Sequence, residues 1–72
     1  METERLQLKA WRRHRVMSLR DLAKAAGVGL ETVRMAEHPE SPRTLQARTV
    51  HKLAAALATE PRNLFRLPRE DD

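Results

Sequence analysis

Apolar residues recur three and four positions apart along most of this chain, and no stretch alternates at period two. Residues three or four apart share one face of an α-helix, whereas alternate residues share one face of a strand. Ala, Leu, Arg, Glu and Lys dominate and β-branched residues are few, which favours helix throughout. The spacing predicts a first helix from about Thr3 to Arg15, capped by Thr3, with Glu4 in its first turn and Leu8 and Trp11 on one face beside Leu6. Ser18 starts a second helix over Leu19–Ala25, with Asp21 three residues on as in a capping box. Leu22, Ala23 and Ala26 give it a small apolar face, and Gly27 stops it by accepting a left-handed backbone. A third helix runs from about Gly29 to Glu37, where Pro39 blocks its continuation. Residues 38–44 form the clear loop of the chain. A fourth helix begins between Thr44 and Arg48, ends near Ala58 and buries Val50, Leu53, Ala54 and Leu57. Thr59 caps a last short helix with Pro61 in its first turn and Leu64 and Phe65 on its buried side. The expected fold is all-α, a compact bundle of about five helices over residues 1–67, with Trp11, Leu22, Val33, Leu53 and Leu57 in one core. Residues 68–72 are expected as an acidic, frayed tail.

The chain has 72 residues, enough for one domain. A domain of this size buries only about 60% of the surface its unfolded chain exposes, so a partner subunit or ligand would add stability. A deep catalytic pocket is hard to build, and no nucleophile–base pair is visible, so no enzyme is expected. There is no cysteine, which excludes disulfides and thiolate metal sites. His14, His38 and His51 are scattered without metal-ligand spacing, so neither metal nor cofactor is expected. No apolar run approaches the roughly 20 residues that span a bilayer. The opening Met-Glu-Thr-Glu-Arg lacks the apolar centre of a signal peptide, so the expectation is a cytoplasmic protein with no membrane partner.

Charge sharpens the picture. Lys and Arg number 14 against 10 Asp and Glu, a net charge of +4. Glu70, Asp71 and Asp72 gather at the tail, so the body is more basic still, which favours a polyanionic partner. Trp11 and Phe65 are the only aromatic residues. A stacking platform for single strands needs several aromatic faces, so duplex DNA fits better than single-stranded RNA.

The stretch Ser18 to Glu37 reads as two short helices joined by a tight turn. Such helices approach closely where they cross, and Ala23 is small enough for that contact. Gly27 supplies the turn, Val28 and Val33 plug the second helix into the core, and Ala36 packs further along. This leaves Gly29, Leu30, Glu31, Thr32, Arg34 and Met35 less buried. In a helix-turn-helix that outer face enters the major groove. Leu30, Glu31, Thr32, Arg34 and Met35 are therefore the candidate base contacts. Arg34 suits guanine or a phosphate, Thr32 a base edge or thymine methyl, Leu30 a thymine methyl, and Glu31 cytosine N4. Each also has a plainer role: Arg34 as a solvated side chain, Thr32 in packing, Glu31 as a favourable first-turn acid. Ser18, Arg20, Lys24, Arg43 and Arg48 flank the motif as candidate phosphate contacts.

Leu8-Lys9-Ala10-Trp11-Arg12, Met17-Ser18, Leu22-Ala23 with Gly27-Val28, Thr32-Val33 with Glu37, Leu53-Ala54-Ala56-Leu57 and Leu64-Phe65 follow one another in an order that resembles the Cro/repressor (Xre-type) helix-turn-helix family. The resemblance spans about residues 5–66. It implies a lambda-repressor-like DNA-binding domain, sequence-specific binding to double-stranded DNA, and a repressor-like regulator of phage or prokaryotic type. It also implies an ion pair between Arg12 and Glu37, and a homodimer on an inverted-repeat operator. The chain departs from the family at His38-Pro39, where Asn-Gly is usual, at Gly29, where serine is common, and in a longer loop before the fourth helix. Leu64, Phe65 and Leu67 are the expected dimer contact, with Leu30 and Met35 as a rival patch. Leu30, Met35 and Glu31 keep a second reading open: an antitoxin-like or adaptor module whose third helix meets protein.

Overall fold

The structure, a computed structural model, describes residues 6–38 and 46–72. The expected cap at Thr3 with Glu4, the loop through Pro39 and the phosphate candidate Arg43 lie outside the described residues. Among those described there are four α-helices and no strand: α1 (Leu8–His14), α2 (Leu19–Ala26), α3 (Leu30–Glu37) and α4 (Ala47–Ala56). The last short helix expected after Thr59 is a 3-10 helix, Pro61–Phe65. Its bonds run three residues back, from the Asn63 N–H to the Glu60 carbonyl (2.9 Å) and from the Arg66 N–H to the Asn63 carbonyl (3.2 Å). Such helices occur in short pieces, and here Arg66 is already extended one residue past Phe65. Glu60, not Thr59, takes the cap position, while the Thr59 hydroxyl accepts from Asn63 Nδ2 at 3.0 Å.

α1 begins later than its periodicity predicts. Gln7 is non-helical (φ −98°, ψ 44°), and its N–H donates to the Leu64 carbonyl at 2.6 Å. That bond draws the chain entering α1 onto the 3-10 helix. α3 likewise starts at Leu30, with Gly29 in extended backbone before it.

α1, α2 and α4 stop in the same way. A left-handed residue, directly past α2 and the second residue past α1 and α4, ends each helix, and two N–H groups fold back onto the last turn. After α2 this residue is Gly27 (φ +70°), with Val28 N–H on Ala23 O at 3.0 Å and Gly27 N–H on Lys24 O at 3.2 Å. After α1 it is Val16 (φ +57°), with Met17 N–H on Arg12 O and Val16 N–H on Arg13 O, both at 3.0 Å. After α4 it is Ala58 (φ +56°), with Thr59 N–H on Ala54 O at 3.0 Å and Ala58 N–H on Ala55 O at 3.1 Å. Only the first uses the residue suited to that conformation. A β-branched side chain there is strained, and Val16 is 89% exposed, so packing offers little in return.

The core is continuous. Leu8, Trp11, Leu22, Ala23, Ala26, Val33, Leu53, Ala54, Leu57 and Leu64 are buried, with Leu6, Met17, Leu19, Val28, Ala36, Val50 and Ala56 packed around them. α2 sits between α3 and α4, while α1 closes against α3 and the 3-10 helix. The Cα radius of gyration is 11.2 Å, against about 11 Å for a closely packed chain of this length. Leu64 belongs to this core and is fully buried, which removes it from the expected dimer contact; Phe65 (39%) and Leu67 (62%) remain exposed.

Trp11 anchors the closure. Its indole N–H is shared between the carbonyls of Asn63 (3.1 Å) and Arg66 (2.8 Å). The guanidiniums of Arg15 and Arg66 lie 5.6 and 5.4 Å from the ring centroid, within cation–π range. Arg15 also reaches the carbonyls of Leu57 (2.8 Å) and Asp72. In the acidic tail, Asp72 accepts from Arg66 Nη1 at 2.8 Å and from the Arg69 N–H at 2.7 Å. These bonds hold the Asp72 carboxyl down at about 2, chiefly through Arg66 and next through the Arg69 N–H.

Candidate nucleic-acid interface

The α2–turn–α3 unit is fixed at each end by local chemistry. The Ser18 hydroxyl accepts from the Asp21 N–H, and the Asp21 carboxylate accepts from the Ser18 N–H, both at 3.0 Å. This reciprocal cap satisfies two donors at the start of α2. It also bears on Ser18 as a candidate phosphate contact. Its N–H is already taken, and Asp21 stands beside it as a carboxylate, held below its ordinary range by the Ser18 N–H first and then the Ser18 hydroxyl. Ser18 therefore caps α2, and a phosphate approaching it would meet a like charge at Asp21.

Three residues, Gly27 to Gly29, carry the chain from α2 into α3. Gly27 needs its left-handed backbone, whereas Gly29 is ordinary (φ −70°, ψ 150°). A β-carbon at Gly29 would meet only the Thr32 hydroxyl oxygen at 3.8 Å, so a serine would fit there. Val28 and Val33 turn inward, Val33 fully buried.

The outward side of α3 carries Leu30 (36% exposed), Glu31, Arg34 and Met35 (39%). Thr32 is half-buried. Arg34 Nη1 donates to Glu31 Oε1 at 3.1 Å, one turn back along the helix. An exposed pair of this kind contributes about 0–1 kcal/mol, so it adds little to the fold.

The structure brings Arg12 and Glu37 together across 25 residues of sequence. Arg12 Nε donates to Glu37 Oε2 at 2.6 Å and Nη2 to Oε1 at 3.1 Å, while Nη1 reaches the Met17 carbonyl at 2.9 Å. The two side chains are only 14% and 9% exposed. One guanidinium therefore clamps the far end of α3 to α1 and to the chain entering α2. Such two-pronged geometry sets direction as well as distance.

Arg20 and Lys24 on α2 and Arg48 in the first turn of α4 are exposed. Lys52, one turn beyond Arg48, is exposed too and extends that cationic row; its spacing of four from Arg48 is the signal that would have found it. Among the described residues no helix is long and apolar enough to cross a membrane. Comparison with protein-family models, with curated proteins and with solved structures found no match to this chain.

Proposed function

We propose that this chain binds double-stranded DNA sequence-specifically, as a repressor-like transcription regulator of phage or prokaryotic type with a lambda-repressor-like domain of the Cro/repressor family. One observation carries the reading. Two eight-residue helices are joined by a three-residue turn, and the second projects Leu30, Glu31, Arg34 and Met35 into solvent. A helix held this way is sized for the major groove. The clamp from Arg12 to Glu37 fixes its angle, and Arg20, Lys24, Arg48 and Lys52 supply charge for the phosphates. In this reading Arg34 reads guanine, Leu30 and Met35 touch methyl groups, and two copies bind an inverted repeat through Phe65 and Leu67.

The alternative adaptor reading draws on the same face, since Leu30 and Met35 are apolar and the Glu31–Arg34 pair is neutral. Titration on random duplex DNA at several salt concentrations separates the two. DNA binding gives an affinity that falls steeply with salt, and Arg48→Ala lowers the slope of log affinity against log salt by about one. Absence of salt-dependent retention would replace the DNA reading with the protein-binding one.

A further inference from the structure

The outward side of α3 is unlike its neighbours in charge. α2 presents Arg20 and Lys24, with its one acid, Asp21, bonded to the Ser18 N–H at the helix start, and α4 presents Arg48 and Lys52. α3 presents one acid and one base joined to each other, Glu31 and Arg34, between two apolar side chains. The pair is in water, with Arg34 60% and Glu31 77% exposed, so burial does not force it. Its effect is felt when a third charge arrives.

Resting on the duplex-DNA reading above, we propose that Glu31 is a specificity-determining positioning residue that acts through Arg34. It engages Nη1 of the guanidinium and leaves Nε and Nη2 as donors. A phosphate drawn to those donors brings a negative charge against the Glu31 carboxylate. A guanine edge offers neutral acceptors at N7 and O6 and meets no such repulsion. Glu31 therefore weakens backbone attraction at α3 while leaving base recognition intact. Indiscriminate attraction falls to the cations of α2 and α4, and α3 contributes discrimination.

The test begins with selection of a preferred duplex from random DNA by the wild-type chain. Wild type, Glu31→Gln, Arg34→Ala and the double variant are then titrated on the preferred duplex and on random duplex at several salt concentrations. Both positions are exposed, and circular dichroism checks that each variant keeps its helix content. Glu31→Gln is expected to tighten random-duplex binding by about threefold to tenfold and to steepen the salt slope by about one ion, because Arg34 becomes free for a phosphate. Affinity for the preferred duplex changes less, so the ratio between the two falls. With Arg34→Ala in place, Glu31→Gln should leave the slope nearly unchanged. Equal shifts on both duplexes, or an undiminished effect without Arg34, would overturn the role of Glu31 and leave the DNA reading standing. If the wild-type chain binds no duplex, the two fall together.

Discussion

Replacing Val16 by glycine should stabilise this protein, although it removes a hydrophobic side chain. Val16 sits at φ +57° in the turn after α1. An L-residue in that region costs about 1–2 kcal/mol, and β-branching places valine at the upper end. Glycine removes the cost but gains freedom in the unfolded chain, which offsets about 0.4–1 kcal/mol. The lost burial is small, because Val16 is 89% exposed; about a tenth of the 1.5–3 kcal/mol for a fully buried valine is a few tenths. The net gain is about 0.5–1 kcal/mol, or roughly 2–8 °C in Tm for a domain of this size. Thermal unfolding followed by far-ultraviolet circular dichroism measures it. Gly27→Ala is the mirror experiment: a β-carbon there meets nothing within 4 Å, so its cost comes from the backbone alone. It should lower Tm by a similar amount. A Val16→Gly protein that melts at or below the wild-type temperature would refute the strain argument.

Three further outcomes are expected. Glu37→Ala leaves the Arg12 guanidinium shielded without its acid and should cost roughly 3 kcal/mol in urea unfolding; a loss under about 1 kcal/mol would mean that the clamp does not fix α3. Asp72 titrates near 2 when folded and near 3.9 when unfolded, so its contribution is complete above about pH 4 and disappears as pH falls to about 2. Wild type should therefore be more stable than Asp72→Asn at pH 5.5 and lose that advantage by pH 2; an advantage independent of pH would contradict the tie to Arg66. Phe65→Glu should weaken self-association in sedimentation at several concentrations, and unchanged association would clear Phe65 and leave Leu30 and Met35 as the rival patch.

What the chain's spacing revealed and what it concealed have separate physical causes. Leu22, Ala23, Val33, Leu53 and Leu57 lie at helical intervals, so the burial of α2, α3 and α4 was legible. Gly27 was legible because glycine advertises a left-handed turn. The equivalent turns at Val16 and Ala58 were not, since neither residue type favours that backbone, and the N–H groups that fold back onto Arg12, Arg13, Ala54 and Ala55 leave no mark in the side-chain pattern. The late start of α1 depends on a bond to Leu64, and the contact of Asp72 with the body on Arg15; such distant partners leave no periodic trace. The pairing of Arg12 with Glu37 emerged only from the family resemblance. Ser18 was recognised as a cap, yet its consequence, an occupied N–H beside a carboxylate, follows only from the geometry.

The setting of Trp11 has an optical consequence. It is the one tryptophan in the chain, so intrinsic emission comes from a single environment. That environment is dry and bounded by segments from opposite ends of the sequence, with the indole N–H bound to carbonyls more than 50 residues away. Parting of residues 61–66 from α1 exposes the ring to water and moves its emission to the red, even while α2 and α3 keep their helical signal. A fluorescence trace that leads the circular-dichroism trace during unfolding would therefore time the opening of the closure between the two ends, without any added label.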